Sequence, residues 1–193
     1  MSKAKLKNIM VRGRMVWSNI YDKKIDEYNP KGKYILKLLI VMTDNQTVKT
    51  LVDGTSEVGS AFGGGYATSF LTECSELNNL GAWSGNYLLT AKSDYKPDVI
   101  NVTGQQEDNC YNGCYVYATI KLAPYTVGGK NGVTAYLGNI CKVADGENME
   151  KRTAQSDFAN IIGKSVDILL PNKEGVGIET TGEDIINDGN IPF

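Results

Sequence analysis

Residues 114–143 read CYVYATIKLAPYTVGGKNGVTAYLGNICKV, and this stretch decides the fold. Residues 114–125 and 133–143 are two runs rich in β-branched and aromatic side chains, and the loop GGKNG at 128–132 separates them. Two such runs around a short Gly-Asn-Gly loop are typical of a β-hairpin. The sequence therefore predicts two long, paired strands here.

The first strand of this hairpin divides into an apolar and an aromatic face, because side chains alternate across a strand. The apolar face, which we assign to the core, consists of Cys114, Val116, Ala118, Ile120 and Leu122. The other face, which we expect Tyr136 to join from the second strand, carries Tyr115, Tyr117, Thr119, Lys121, Ala123 and Tyr125. Exposed rings beside a cation suit unpaired bases, which stack on aromatic side chains at roughly 1–3 kcal/mol per base. The alternative is that tyrosine merely favours strands and that a loop or second sheet covers this face.

Upstream of the hairpin, strand-like runs alternate with Gly, Asn and Asp, which is the pattern of a small barrel or sandwich. Residues 6–17 form the first predicted strand, with Gly13 as a bulge or tight bend. Residues 33–42 are apolar on both faces and predict a central strand. Residues 86–92 predict a third strand, and residues 97–102 a short extended segment.

The regions between and after these strands give weaker signals. Thr43 or Asp44 is expected to cap a short helix that ends near Val52. Residues 54–65 show no period of either kind, so we expect a long, mobile excursion there. An amphipathic segment is predicted at 156–162 and a last strand at 165–170. Polar residues and glycine dominate from residue 172, which predicts one domain at 1–171 and a disordered tail at 172–193.

The amino-acid composition excludes several classes of enzyme and of metal-binding protein. The chain has 193 residues and none of them is histidine. This excludes Ser-His-Asp and Cys-His nucleophile activation, and every metal site that needs imidazole. The acidic residues show no spacing that marks an acid/base pair, and no Gly-rich phosphate motif is present. The sequence therefore predicts a protein that binds rather than catalyses and that uses no cofactor or metal.

Charge is segregated along the chain. The totals are 20 Lys and Arg against 22 Asp and Glu, but the first 50 residues carry 11 basic and 4 acidic residues. The residues after Lys173 include five acidic and no basic ones. A basic body with an acidic tail suggests a polyanion-binding domain; a solvated surface with a solubilising tail is the plainer alternative. We find no signal peptide and no apolar run near 18 residues, so we expect a cytoplasmic protein without a membrane partner.

Basic residues recur beside rings on several predicted strands, as a sequence-tolerant groove for a single strand requires. The candidate contacts outside the hairpin are Arg12, Arg14, Trp17, Lys37, Lys92 and Lys96. The candidates within the hairpin are Tyr115, Tyr117, Lys121, Tyr125 and Tyr136.

The last residues form a candidate docking peptide, in which Asp184 and Asp188 precede Ile191, Pro192 and Phe193. We expect Phe193 to fill an apolar pocket on a partner protein while the acids meet basic residues. Pro192 limits the entropy lost on ordering. The alternative is a terminus without a role.

The chain resembles a phage-encoded family of single-stranded-DNA-binding proteins with an OB-fold core, related in architecture to the T7-type binding protein. The matching stretches are 87–97 (YLLTAKSDYKP), 111–125 (YNGCYVYATIKLAPY), 129–139 and 143–147, and the resemblance covers roughly residues 5 to 160. The Ile-Pro-Phe end looks like the C-terminal tip through which bacterial single-stranded-DNA-binding proteins recruit replication and repair enzymes. The chain departs from that tip because only Asp188 lies close to it.

The resemblance implies a mainly β fold: an OB-fold five-stranded barrel with a short helix, extended loops and a disordered acidic tail. It also implies binding of single-stranded DNA without sequence preference, in phage DNA replication, recombination or repair in the host cytoplasm. The partners would be single-stranded DNA and, through the tail, replication or recombination proteins. The oligomeric state stays open, with a homodimer as one alternative.

Two other classes remain open on the sequence alone. A phage structural β-sandwich would bury the Tyr115 face in a subunit interface and would not need the Ile-Pro-Phe end. A zinc-binding or redox protein would depend on Cys110 and Cys114, whose C-x3-C spacing lacks the second ligand pair of a zinc ribbon.

Overall fold

The computed structural model describes residues 6–27 and 29–149. The elements, in chain order, are β1 (Lys7–Asp26), β2 (Asn29–Val41), α1 (Asn45–Gly59), β3 (Ala67–Thr68), β4 (Leu71–Glu73), β5 (Asn86–Ser93), β6 (Val99–Asn101), β7 (Tyr115–Val127) and β8 (Lys130–Ala144). The segments predicted at 156–162 and 165–170, and the acidic tail, lie outside the described residues. No helix within 6–27 and 29–149 is long and apolar enough to cross a membrane.

Five strands close into a barrel. Strand β1 pairs antiparallel with β2 and with β7, β2 pairs with β5, and β7 pairs with β8. A parallel contact between Lys92 on β5 and Tyr136 on β8 completes the ring. Over residues 6–27 and 29–149, this mainly β fold with one α-helix is the OB-type barrel that the sequence predicts. The central position predicted for the second strand is also confirmed, because β2 is paired along both edges.

The β7–β8 hairpin is confirmed, and it turns at Gly128 and Gly129, whose φ angles of 56° and 75° favour glycine. The predicted core face is buried throughout, from Cys114 to Leu122 at alternate positions. Ala123 is an exception, because it is buried although the alternation placed it outward. The interior of the barrel is therefore filled by alternate residues of the strands, and their other neighbours face outward.

Helix α1 begins where the sequence predicts but ends later. The carboxylate of Asp44 accepts a hydrogen bond from the backbone N–H of Thr47. The helix then continues to Gly59, and Val58 is fully buried. The expected mobile excursion is therefore wrong for residues 54–59. A Cβ on Gly54 would lie 3.0 Å from Leu122, and one on Gly59 would overlap the Tyr66 ring, so these glycines permit close packing rather than motion.

Strand β1 carries a bulge that decides which of its side chains face outward. The register against β2 shifts between Met15 and Trp17, so the bulge lies later than the predicted position at Gly13. A Cβ on Gly13 would lie 2.6 Å from the carbonyl oxygen of Leu39, which explains the glycine as a close backbone approach. Arg14 is opposite Leu39, and Trp17 is opposite Lys37. Without a bulge, an even-numbered and an odd-numbered residue of one strand face opposite sides. The bulge brings Arg14 and Trp17 to the same outer face.

Residues 66–85 pack against the barrel rather than away from it. Strand β3 pairs with β8, and β4 pairs with β5. Phe70, which lies between β3 and β4 in the sequence, is buried. The residues after β4 place Leu80 and Trp83 on an apolar cluster that includes Val16 and Leu39. This segment therefore covers part of the outer face of β1 and β2.

Candidate nucleic-acid interface

Groove 1 is an open cavity of about 600 Å³ on the outer surface of β1 and β7, and its lining includes Arg12, Arg14, Asp44, Trp83, Tyr115 and Tyr117. The strand register places Arg12 beside Tyr117 and Arg14 beside Tyr115. Four residues that the sequence assigns to the interface are thus neighbours. They form two pairs, each of one guanidinium and one ring.

Arg12 is held by an acidic residue in groove 1. Its Nε and Nη2 donate to the two carboxylate oxygens of Asp44, at 2.7 and 2.9 Å. The hydrogen bonds from Arg12 hold the pKa of Asp44 well below its usual range, and Asp44 in turn raises the pKa of Arg12. The charge of Arg12 is therefore already balanced by the protein.

Arg14 is held by backbone carbonyls instead. Its Nε donates to the oxygen of Gly113 at 3.1 Å, and its Nη2 donates to the oxygen of Glu147 at 3.0 Å. The guanidinium carbon lies 6.0 Å from the centre of the Tyr115 ring, which is 46% exposed. Neutral acceptors leave the positive charge of Arg14 uncompensated, so groove 1 presents a fixed cation beside an accessible ring.

Groove 2 is a cavity of about 590 Å³ on the outer face of β1, β2 and β5, and its lining includes Trp17, Lys24, Asp26, Lys37, Thr90 and Lys92. The Nζ atoms of Lys24 and Lys37 lie 4.7 and 5.4 Å from the centre of the Trp17 ring. Such distances are typical of cation–π contacts. Groove 2 therefore places two lysines over one indole, and Lys92 is a third lysine in its lining.

Lys24 lines groove 2 but is not among the contacts that the sequence predicts. The first strand was expected to end at residue 17, whereas β1 continues to Asp26 and brings Lys24 back over Trp17. The available signal was the excess of basic residues among the first 50 positions. That excess indicates a basic surface but does not show which lysine lies beside the ring.

Groove 3 is a cavity of about 660 Å³ on the outer surface of β7 and β8, and its lining includes Leu6, Asn8, Asp94, Tyr95, Lys121 and Tyr136. Strand alternation predicts that Lys121 and Tyr136 share one surface with Tyr115 and Tyr117. The structure separates the two groups, because the strands curve around the barrel and successive outward positions turn to different sides. Lys121 and Tyr136 remain direct neighbours across the β7–β8 ladder.

Tyr125 and Lys96 are two predicted contacts that do not line these three grooves, although Tyr125 contacts Ser69, which lines groove 2. The hydroxyl of Tyr125 lies 3.4 Å from the hydroxyl of Ser69, and a Cβ on Gly132 would overlap the Tyr125 ring. This ring therefore packs against residues 69 and 132. Lys96 is exposed, but it lines none of the three grooves.

The segment that carries Leu80 and Trp83 contributes to groove 1, because Trp83 and Leu39, which share an apolar cluster, both line that cavity. It covers Leu39, whereas groove 2 includes Lys37, the next outward position along β2. The rings of groove 1 stay accessible beside it, with Tyr115 half-exposed. One alternative from the sequence is that a loop covers the tyrosine face. A loop does cover part of the outer face, but it covers Leu39 and leaves Tyr115 half-exposed.

Two of the four cysteines, Cys110 and Cys114, form a close pair. The Sγ atoms of Cys110 and Cys114 are 3.4 Å apart and both residues are buried. The hydrogen bond between the two thiols lowers the pKa of Cys114 and raises the pKa of Cys110. Within residues 6–27 and 29–149, no three Cys, Asp or Glu side chains are grouped as metal ligands would be.

A model of the family described as "Enterobacter phage Enc34, ssDNA-binding protein" matches residues 4–169, which is most of the chain. The chain belongs to this family. No sequence among the curated proteins matches it. The family match confirms the resemblance to phage single-stranded-DNA-binding proteins that residues 87–97 and 111–125 indicate.

Solved structures show the same fold. The C-terminally truncated single-stranded DNA-binding protein from bacteriophage Enc34 aligns with a TM-score of 0.63 at 19% identity, over 74% of this chain and 88% of that one. The Enc34 protein in complex with ssDNA aligns with a TM-score of 0.60 at 16% identity, over 74% and 89%. The single-stranded DNA-binding protein gp2.5 encoded by bacteriophage T7 aligns with a TM-score of 0.57 at 14% identity, over 90% and 100%.

Proposed function

We propose that this chain binds single-stranded DNA without sequence preference, along grooves 1 and 2. The observation that carries the proposal is Trp17 with Lys24 and Lys37 over its ring. Trp17 and Lys24 lie on β1, and groove 2 extends from them over Lys37 on β2 and Lys92 on β5, the second and third barrel strands, whose face binds oligonucleotides in OB folds. The membership of the chain in a phage ssDNA-binding family supports the same ligand.

Groove 2 can accept a nucleotide by exchanging partners. In the DNA-free protein the two ammonium groups face the indole, which stabilises them only modestly when they are exposed. A phosphate offers each ammonium a full negative charge, and the ring then becomes available for a base. Stacking and phosphate contact therefore occur together, at roughly 1–3 kcal/mol per stacked base.

Groove 1 would extend the same path. Tyr115 and Tyr117 offer rings, and Arg14 is held in place by carbonyl oxygens, so its charge remains available to a phosphate. Rings and cations of this kind contact the π-face and the backbone, which all four nucleotides share. Binding through these groups therefore does not depend on the base sequence of the DNA.

Competition binding tests this proposal. A labelled oligo(dT) should be displaced equally well by unlabelled single strands of different sequence and poorly by a duplex of the same length. Its affinity should fall steeply with salt, because phosphate contacts release counterions. Equal competition by duplex, or strong preference for one sequence, would overturn the proposal.

We propose further that the chain acts in phage DNA replication, recombination or repair, and that its tail recruits the proteins involved. The acidic residues Asp184 and Asp188 before Ile191, Pro192 and Phe193 support this role. Removing residues 184–193 should preserve or raise affinity for DNA and abolish binding to a replication enzyme. Loss of DNA binding in this variant would contradict the assignment of the tail.

A further inference from the structure

Groove 3 and groove 2 are joined by one row of outward side chains. Lys92 on β5 is opposite Tyr136 on β8, Tyr136 is opposite Lys121 on β7, and Lys121 is opposite Asn8 on β1. Lys92 lines groove 2, and the other three line groove 3. Because neighbouring strands lie about 4.8 Å apart, Lys92 and Lys121 flank the Tyr136 ring at a spacing of about 10 Å.

Groove 3 has the composition of a stacking surface. Tyr136 is 47% exposed, and Tyr95 is 83% exposed although it is aromatic. Leu6 and Leu137 add apolar lining. Two exposed rings beside the cation of Lys121 are the combination that stacks unpaired bases while contacting phosphates.

The charge of groove 3 is not cancelled by its acidic residue. Asp94 lines the groove, but its carboxylate lies 2.8 Å from the Nζ of Lys33. The hydrogen bond from Lys33 also lowers the pKa of Asp94, so the pair stays ionised and close to neutral as a unit. Lys121 therefore leaves groove 3 with a positive charge, which complements a polyanion.

We propose that a bound DNA strand continues from groove 2 across the Lys92–Tyr136–Lys121 row into groove 3, so that it wraps around the barrel. The proposal rests on the function proposed above. Tyr136 stacks one base, and Lys92 and Lys121 take the phosphates on either side of it. Tyr95 offers the next ring beyond the row.

The test compares a short and a long oligo(dT), of about 6 and about 16 nucleotides, with the full chain and a Tyr136→Ala, Lys121→Ala double variant. Single OB folds bind about 4–16 nucleotides, so only the long strand should reach from groove 1 to groove 3. The double variant should bind the long strand at least fivefold more weakly. It should also occlude fewer nucleotides per protein on poly(dT), and it should bind the short strand like the unaltered chain.

Two matched variants separate stacking and charge from damage to the hairpin. Tyr136→Phe keeps the ring and should restore long-strand affinity to the unaltered level. Lys121→Ala alone should reduce the slope of log affinity against log salt by about 0.7 for the long strand, as the loss of one phosphate contact predicts. Lys130→Ala removes an exposed charge at the start of β8, outside the row, and should leave this slope unchanged.

The outcomes distinguish this inference from the proposed function. If the unaltered chain binds neither oligonucleotide, then the proposed function fails. If it binds both, and the double variant keeps the long-strand affinity and the occluded length, then the strand does not enter groove 3. That result would overturn the wrapped path and leave grooves 1 and 2 as the binding site.

Discussion

Grooves 1 and 2 combine the same two kinds of side chain, but they hold their cations differently. In groove 1, the guanidinium of Arg12 is neutralised by Asp44, and that of Arg14 is fixed by two carbonyl oxygens. In groove 2, the ammonium groups of Lys24 and Lys37 lie over the ring of Trp17. Groove 1 is therefore preorganised, with less charge to offer, whereas groove 2 must rearrange but can release a ring and two cations together.

This difference suggests that the two grooves contribute different quantities to binding. Preorganised rings give stacking energy without a cost for ordering them. The lysines of groove 2 give salt dependence, because each phosphate that they neutralise releases a counterion. Groove 1 should therefore dominate the affinity that remains at high salt, and groove 2 the slope with salt.

The largest effect is expected from removing both rings of groove 1. A Tyr115→Ala, Tyr117→Ala double variant should lose about 1–3 kcal/mol of binding free energy for each lost stack, measured by titration with oligo(dT). Tyr125→Ala is the control on the same strand, because Tyr125 packs against residues 69 and 132. Thermal melting of each variant verifies that it is folded. If Tyr125→Ala weakens binding as much as the double variant does, then the division into grooves is wrong.

A single ring is lost in groove 2 when Trp17 is replaced by alanine. Affinity should fall by about 1–3 kcal/mol, and Trp17→Phe should retain most of it because a ring remains. Both can be measured by anisotropy with a labelled strand. An equal loss in the phenylalanine variant would show that Trp17 acts by its size in packing rather than by stacking.

The slope with salt should separate the cations of the two grooves. Lys37→Ala should reduce the slope of log affinity against log salt by about 0.7, the contribution of one phosphate contact to a single strand. Arg12→Ala should change the slope less, because Asp44 already balances Arg12. Equal changes in both variants would mean that the Arg12–Asp44 pair opens when DNA binds.

The smallest effect is expected from Asp44→Asn. Asparagine still caps α1, while the loss of the negative charge frees Arg12 for a phosphate, so DNA affinity should rise by at most about fivefold. Because Arg12 lowers the pKa of Asp44 in the folded state, the ion pair stabilises the fold above the unfolded-state pKa of about 3.9 and is lost as the pH falls below it. The variant should therefore lose less stability than the unaltered chain between pH 4 and pH 2, as chemical denaturation at each pH would show. A fall in DNA affinity would contradict the assignment of Asp44 as a competitor of phosphate.

The sequence predicted most of the barrel, because strand alternation is a local property. Residues 114–122 show it clearly, and the structure buries the predicted face. The helix end at Gly59 could not be predicted in the same way. Gly54 lies against Leu122, which is far away in the sequence, and Gly59 lies against the Tyr66 ring, so both glycines are explained by tertiary contacts.

The sequence proposes residues for the candidate site but does not predict how they are arranged. Tyr117 and Tyr136 share an outward face in a flat hairpin, yet barrel curvature sends them to grooves 1 and 3. The return of Lys24 over Trp17 depends on the length of β1 and on the bulge between Met15 and Trp17. Such properties follow from closure of the barrel, which residue patterns along one strand do not encode.

The most direct test of the central claim follows the fluorescence of Trp17 while oligo(dT) is added. The chain contains two tryptophans, Trp17 and Trp83. In a Trp83→Phe background, the observed tryptophan fluorescence therefore comes from Trp17. The account predicts quenching that saturates, with an affinity that falls with a log–log salt slope of about −2 or steeper for three or more phosphate contacts. Saturable binding with unchanged Trp17 fluorescence, or an affinity that is flat between low and moderate salt, would contradict it.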